Sequence, residues 1–220
     1  MKSATLHYLY DPFCGWCYAA APMLSAAQTV DGIEIEPHGF GMLSGDNARW
    51  MAADWRDFVR PHEQRITALS GQTFGEPYVE GVQQSEDVRL DSSPPIVAML
   101  AAQSLGNEGL NLVKRLQVAY YQEGRPIAEF PVLLEMAKEI GLDGDEFTRA
   151  FKAISEEKVT SHLDATRQML QAMQSQGVPG FALEANGSLH VLPFGRYLGR
   201  PERFKQELET LLQDTSNKGG

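Results

Sequence analysis

Strand, helix and strand patterns follow one another within residues 5–36, and this order limits the fold more than any other feature. Residues 5–10 are rich in Tyr and Leu and end at Asp11-Pro12. A helical pattern runs from about residue 14 to about residue 30, and Pro22 should kink it. Residues 33–36 then alternate apolar and acidic side chains, as a half-buried strand does. Two strands joined by a helix are parallel with a right-handed crossover, so we expect an α/β fold.

The chain contains two cysteines, Cys14 and Cys17, at the predicted start of the first helix. A disulfide between them closes a loop of a few residues and cannot staple distant parts of the chain. A zinc ribbon needs four ligands, commonly two such pairs, and the sequence has no second pair. We therefore interpret the two cysteines as a reactive pair rather than as a structural disulfide.

The rest of the chain divides into a helical block and a second mixed segment. Nearly all of residues 43–152 shows helical patterns, followed by an amphipathic helix that should end at Gly177. Asn186-Gly187 between two short apolar runs predicts a hairpin, and a final helix follows. We predict one domain from residues 1–42 and 156–214, an inserted helical subdomain at 43–155, and a frayed polar tail at 215–220.

Composition and charge exclude two classes of partner. Apolar residues make up 43% of the chain and charged residues 22%, as in ordinary globular proteins. The net charge of −10 would repel nucleic acid and anionic membrane surfaces, and no apolar run approaches the length of a bilayer crossing. The amino terminus lacks the pattern of a secretory signal, so we expect a cytoplasmic protein, or a periplasmic one if a signal was removed.

Three sequence features together carry a family resemblance over essentially the whole length of the chain. They are the cysteine motif, Pro22 in the same helix, and Val178-Pro179 ahead of the hairpin, with the motif reading Cys14-Gly15-Trp16-Cys17. The chain resembles the DsbA-like thiol–disulfide oxidoreductases, and is most similar to the FrnE-like and predicted protein-disulfide-isomerase branches. The resemblance implies a thioredoxin-like βαβ…ββα fold with a large all-helical insertion.

The two cysteines receive different expected roles. Unpaired amides at a helix amino terminus favour the thiolate, which is the attacking species in disulfide exchange, so Cys14 should be an exposed nucleophile. Cys17 lies one turn further along and should be the buried thiol that resolves the mixed disulfide. Gly15 and Trp16 bring no cation between them, so we expect a weaker oxidant than family members that place histidine there.

Several neighbouring residues are candidates for supporting the site. In the family, the proline that corresponds to Pro179 forms a cis peptide bond beside the cysteines, and Val178 would present its backbone to an extended substrate. Asp11 and Pro12 precede the motif; Asp11 could accept a proton near Cys17, but a turn role is the preferred interpretation. Trp16 either forms the substrate-facing rim or shields Cys17.

Other aromatic and histidine residues are explained by structural rather than functional roles. Trp50, Trp55 and Phe58 could line a peptide groove, although an aromatic stripe at helical spacing is more often core. The five histidines are scattered, and none has the spacing of a helix-borne metal site, so no metal site is expected. The five histidines are His7, His38, His62, His162 and His190.

The leading functional hypothesis is a protein-disulfide oxidoreductase that acts on protein or peptide disulfides and needs no cofactor beyond its dithiol. Glutathione is a candidate electron donor and a homodimer is a candidate assembly. One alternative is a glutathione-dependent transferase or isomerase of the kappa class, against which the retention of both cysteines argues. Another is a binding module in which Cys14 and Cys17 hold a soft metal such as Cu(I).

Overall fold

A four-stranded mixed sheet organises the part of the chain that carries the cysteines. The computed structural model describes residues 4–217. The strands of this sheet are β1 (Ala4–Tyr10), β2 (Ile33–Gly39), β5 (Gly180–Ala185) and β6 (Ser188–Val191). Their order is β2-β1-β5-β6, with β1 parallel to β2 and β5 antiparallel to both of its neighbours. The predicted parallel strand–helix–strand unit is therefore confirmed.

Two short helices connect the parallel strands. They are α1 (Gly15–Ala19) and α2 (Ala21–Ala27), and the chain bends between them at Ala20. Pro22 lies in the first turn of α2, where its missing amide costs nothing because that amide has no intrahelical partner. The predicted interruption at Pro22 is confirmed, and α2 ends before the predicted position near residue 30.

The inserted block is mainly helical but also contains a small two-stranded ribbon. Its helices are α3 (Ala53–Ser70), α4 (Ser93–Ser104), α5 (Gly109–Tyr121), α6 (Phe130–Glu139) and α7 (Gly144–Ala153). The ribbon pairs β3 (Arg49–Trp50) with β4 (Arg89–Leu90) in antiparallel register. A two-residue strand is too short to show alternation, so the sequence pattern did not predict the ribbon.

The last segment returns to the sheet. Helix α8 (Glu156–Ala172) stops short of the predicted end at Gly177. Between β5 and β6, Asn186 and Gly187 both adopt positive φ angles, 49° and 74°, so the predicted hairpin is confirmed. Helices α9 (Phe194–Tyr197) and α10 (Pro201–Asn217) follow.

The predicted frayed tail, residues 215–220, starts inside α10, and residues 218–220 lie outside the described residues. The helix therefore continues through a polar stretch in which the sequence pattern predicted an end. Across residues 4–217, no helix has both the length and the apolar character required to span a bilayer.

Two apolar cores meet at the cysteines. The first packs one face of the sheet against α1, α2 and α10, with Leu6, Leu24 and Phe204 buried in it together with both cysteines. The second lies inside the helical block and also includes Phe13 and Tyr18, which flank the motif. Helix α8 packs near β2 on the opposite face, where a smaller cluster lies. The cysteine motif thus lies where the sheet domain meets the helical block, whose bounds at residues 43 and 155 stay a prediction.

Candidate active site

Cys14 occupies the position that immediately precedes helix α1. Its backbone is extended, and its carbonyl oxygen accepts hydrogen bonds from the amides of Cys17 and Tyr18 at 2.9 and 3.1 Å. Cys14 is therefore the N-cap residue of α1, at the helix start that the sequence pattern predicted, although its side chain makes no capping hydrogen bond. One helical turn then places Cys17 behind Cys14, in the first core.

Both cysteines are free thiols, and the two differ in how far they are covered. Cys17 is fully buried, whereas Cys14 keeps 8% of its surface exposed and lines a cavity. The prediction of an exposed Cys14 is wrong as stated, because Val178 and the walls of that cavity cover most of the side chain. The predicted order of accessibility, with Cys17 behind Cys14, agrees with these exposures.

Burial raises the pKa of the Cys17 thiol well above its usual range, and the adjacent Cys14 sulfur raises it further. The peptide carbonyl of Cys17 accepts a hydrogen bond from the Tyr8 hydroxyl at 3.1 Å, which fixes this residue against β1. The geometry therefore provides one thiol that reaches a cavity and a second thiol held protonated in the core behind it.

Asp11 is fully buried, and its carboxylate joins three segments of the chain. One oxygen accepts hydrogen bonds from the Phe13 amide at 3.0 Å and the Ser92 hydroxyl at 2.9 Å. The other accepts from the Met42 amide at 2.6 Å. These bonds agree with the preferred turn interpretation and extend it, because they also tie the motif loop to the start of the helical block and of α4. Pro12 lies buried in the same turn.

The loop ahead of β5 faces the cysteines across the site. The peptide bond between Val178 and Pro179 is cis, as the family resemblance implies. The Cys14 thiol lies 3.8 Å from the Val178 carbonyl oxygen, while Pro179 is buried. Strand β1, helix α1 and the loop before β5 therefore bring Cys14, Cys17 and Val178 together, as the sequence predicted.

Two cavities open on either side of Trp16 and Val178. The first has a volume of about 340 Å³ and contains the side of Cys14 that is not covered; aromatic side chains form a large part of its walls. They include Phe13, Trp55, Phe58, Tyr78, Tyr120 and Tyr121. The second has a volume of about 550 Å³ and is lined by Pro179, Arg65 and Arg200 among others.

The preferred interpretation of the aromatic stripe as core is wrong for two of its three members. Phe58 is 58% exposed and Trp50 is 54% exposed. Trp55 and Phe58 line the first cavity, as the groove alternative predicted, whereas Trp50 lies beside the Arg89 guanidinium of the ribbon. The helical spacing is real: Trp55 packs against the second core and also reaches the cavity, whereas Phe58 stays exposed on the cavity wall.

Trp16 lies half-buried on the wall that the two cavities share. Its indole nitrogen donates to His62 Nδ1 at 3.4 Å, and the Arg65 guanidinium lies 5.6 Å from its ring centre. A side chain at Gly15 would place its Cβ 3.0 Å from Ile66, so glycine allows α1 to lie close to α3. His62, Arg65 and Ile66 were not predicted as site residues; their signal was the i, i+3, i+4 spacing on one face of α3.

A thioredoxin-like sheet with a dithiol at the first helix, facing a cis-proline loop, defines a thiol–disulfide oxidoreductase. The chain belongs to the DSBA-like thioredoxin domain family, whose model matches residues 5–208. The resemblance drawn from the sequence and the predicted fold class are confirmed. Among curated proteins, no relative matches the chain.

Solved structures support the same assignment. The chain is 45% identical to the cytosolic disulfide reductase DsbM from Pseudomonas aeruginosa, with a TM-score of 0.88 and coverage of 95% of this chain and 98% of that chain. A structure of the same reductase with GSH gives 44% identity, a TM-score of 0.87 and coverage of 95% and 99%. Pseudomonas aeruginosa DsbA, at 14% identity, TM-score 0.53 and coverage of 99% and 86%, shares the fold. The chain is thus a disulfide oxidoreductase enzyme.

Proposed function

We propose that the chain is a cytoplasmic disulfide reductase in which Cys14 attacks the substrate and Cys17 resolves the intermediate. The observation that carries this assignment of roles is the placement of the two sulfurs. Cys14 lines a cavity of about 340 Å³, whereas Cys17 is fully buried behind it. A substrate in the cavity reaches the first sulfur and is sterically separated from the second.

The proposed reaction transfers two electrons from the dithiol to the substrate. The Cys14 thiolate attacks one sulfur of the substrate disulfide, forms a mixed disulfide and releases the other sulfur as a thiolate. Cys17 then loses its proton, attacks Cys14 Sγ and releases the second substrate thiol, which leaves a Cys14–Cys17 disulfide. The raised pKa of Cys17 keeps it from competing in the first step, since the thiolate is the attacking form.

Peptide disulfides fit the first cavity and the loop beside it. An extended peptide could pair with the backbone at Val178, while its side chains rest on exposed aromatic surface such as Phe58. Contacts of this kind use main-chain hydrogen bonds and apolar area, so they tolerate many sequences. We therefore propose protein or peptide disulfides as the substrate class.

Glutathione is the proposed electron donor that returns the dithiol to its reduced state. It carries two carboxylates, and the second cavity places Arg65 and Arg200 on its walls beside Pro179. These cations give a local positive surface on a chain whose net charge is −10. The similar DsbM structure with GSH supports the proposal. Two glutathione molecules supply the two electrons and leave as glutathione disulfide.

The reducing direction follows from the proposed compartment. A cytosolic glutathione poise of roughly −220 to −320 mV holds a moderately reducing dithiol mainly in its reduced form. The similarity to a reductase described as cytosolic supports this location. A homodimer stays a prediction.

Trapping of covalent intermediates tests the assignment of the two cysteines. The Cys17→Ser variant, incubated with a disulfide-bonded peptide, should accumulate a mixed disulfide through Cys14, detected by intact mass. The matched Cys14→Ser variant should accumulate none, and the unmodified chain should turn over the peptide when glutathione is supplied. Trapping through Cys17 in the Cys14→Ser variant, at an equal rate, would contradict the assignment of Cys14 as the attacking thiol.

Metal analysis of the purified protein distinguishes the enzyme from the soft-metal module. One Cu(I) bound per dithiol, with no turnover of a peptide disulfide, would contradict the reductase. The potential of the Cys14–Cys17 couple, measured against glutathione, then reports the direction of catalysis.

A further inference from the structure

A cluster of histidine and carboxylate side chains lies on the sheet face opposite the dithiol. His7 on β1 and Glu36 and His38 on β2 alternate with residues that enter the first core, so all three point to the other face. His7 is directly paired with Glu36 in the strand register. The sequence showed no such cluster, because 31 positions separate His7 from His38 and strand pairing alone brings them together.

The ligand atoms of these three residues form a small triangle. His7 Nδ1 lies 3.0 Å from His38 Nε2, and Glu36 Oε2 lies 3.9 Å from the first nitrogen and 4.0 Å from the second. A point equidistant from the three atoms is about 2.1 Å from each, which equals the zinc–nitrogen and zinc–oxygen distances of protein sites. The triangle therefore has the size of a metal site without movement of the backbone.

A fourth residue, Glu184 on β5, orients His7 as metal sites require. The other ring nitrogen of His7, Nε2, lies 3.2 Å from Glu184 Oε2. When Nε2 donates its proton to that carboxylate, the lone pair of His7 resides on Nδ1 and faces the triangle. Metal-binding histidines commonly have this carboxylate partner, which fixes the tautomer and makes the ring a better ligand.

The surroundings of His38 also suit a neutral ligand. The His38 side chain is only 12% exposed and its ring lies beside those of His7 and His162, and burial of this kind favours the neutral imidazole that binds a metal. His162 Nε2 accepts a hydrogen bond from the Gly39 amide at 2.9 Å and is therefore engaged elsewhere. The Glu36 side chain is half exposed, which leaves a path from solvent to the triangle.

We propose that His7, Glu36 and His38 form a binding site for a divalent transition metal of the zinc type, separate from the dithiol. Two imidazoles and one carboxylate are a ligand set that zinc uses, with the fourth position open to water. Without metal, the His38 Nε2 proton is donated to His7 Nδ1; with metal, neutral His38 carries that proton on Nδ1 instead. The net charge of −10 attracts cations to the surface.

Metal binding to a chain without thiols tests the proposal. We would titrate the untagged, 220-residue Cys14→Ser/Cys17→Ser variant with Zn²⁺ by calorimetry and with Co²⁺ by visible absorption, since the dithiol would otherwise compete. The expected result is one ion per chain, with a Co²⁺ spectrum of nitrogen and oxygen ligands and no sulfur charge-transfer band. Absence of stoichiometric binding would overturn the site.

Single substitutions in the same background locate the ion. Glu36→Gln and His38→Gln should each weaken Zn²⁺ binding at least tenfold, and Glu184→Gln should weaken it less because its effect passes through His7. His190→Gln on β6, outside the cluster, is the matched control and should bind as before. Glu36 is half exposed, so its variant should fold even if the His38 variant does not. Undiminished binding by Glu36→Gln, with folding verified by circular dichroism, would overturn the proposed ligand set.

Discussion

The thiol of Cys14 faces the carbonyl oxygen of Val178 across 3.8 Å, although 164 positions separate the two residues in the sequence. The loop before β5 therefore covers the first sulfur and leaves it one open side, toward the aromatic cavity. Access to Cys14 depends on this cavity rather than on open solvent.

Alkylation of the reduced protein should modify Cys14 before Cys17. Cys17 is fully buried and its pKa is raised, so its thiolate is both scarce and inaccessible at neutral pH. Peptide mapping by mass spectrometry after a short iodoacetamide pulse measures the order. Modification of Cys17 first in the folded protein would contradict the proposed geometry.

Truncation of Phe58 should weaken the use of peptide disulfides while leaving the fold intact. The ring is mostly exposed on the cavity wall, so its contact with a substrate is worth about 1 kcal/mol of apolar burial. We expect Phe58→Ala to lower kcat/KM for a peptide disulfide roughly fivefold. Leu189→Ala, which removes a similarly exposed apolar side chain on β6, should leave kcat/KM unchanged. Equal losses in both variants would exclude a specific role for the cavity.

Replacement of Arg200 should raise the KM for glutathione. Arg65 and Arg200 line the second cavity at exposed positions, where each ion pair with a carboxylate contributes up to about 1 kcal/mol. Arg200→Gln should therefore raise KM up to roughly fivefold at low salt, and the difference should shrink at high salt. Arg149→Gln on α7 is the control. The same increase in KM in both variants would mean that the overall charge of the chain, rather than the second cavity, determines the affinity for glutathione.

Replacement of Asp11 should destabilise the protein in proportion to the hydrogen bonds lost. Asp11→Ala removes the acceptor of three donors, and we expect a loss of about 3 kcal/mol in the free energy of unfolding. Asp11→Asn can keep the two bonds to one oxygen and lose the bond from the Met42 amide, at a cost of about 1 to 2 kcal/mol. Urea denaturation measures both values. Equal stability of Asp11→Ala and the unmodified chain would contradict the tether.

The raised pKa of Asp11 also determines the sign of a pH effect on stability. Burial raises the pKa of Asp11 above its usual value of 3.8, so the folded state holds this proton more tightly than the unfolded state. The contribution of Asp11 to stability is therefore largest below pH 3.8 and declines as the pH rises through the folded-state pKa. Relative to Asp11→Asn, the unmodified chain should lose stability over this window in denaturation at fixed ionic strength. A relative gain would mean that the hydrogen bonds outweigh burial.

Local patterns were sufficient to predict the parts of the fold that depend on neighbouring residues. The alternation in β2, the interruption at Pro22 and the turn at Asn186-Gly187 each require a few adjacent positions. The cysteine motif and Val178-Pro179 together indicated the family. The two-residue ribbon strands have no such local signal, because two residues are too few to show alternation and their partners lie about 40 positions apart.

Contacts between distant segments explain what the sequence could not predict. Phe58 has the spacing of a core residue, and only the packing of α3 beside α1 turns it toward the cavity. Cys14 was expected to be an exposed nucleophile because the amides of a helix start favour its thiolate, but the Val178 loop covers it. His7 and His38 looked scattered until the register of β1 and β2 placed them together.

The Asp11 carboxylate has a consequence for any attempt to simplify this enzyme. Its partners belong to the motif loop, to the junction at Met42 and to Ser92. Cutting out the helical block to obtain a minimal thioredoxin would delete the Ser92 hydroxyl and leave a buried anion short of a partner beside the reactive sulfurs. Grafting the motif onto a bare scaffold would therefore transfer the two thiols without the support that fixes their loop.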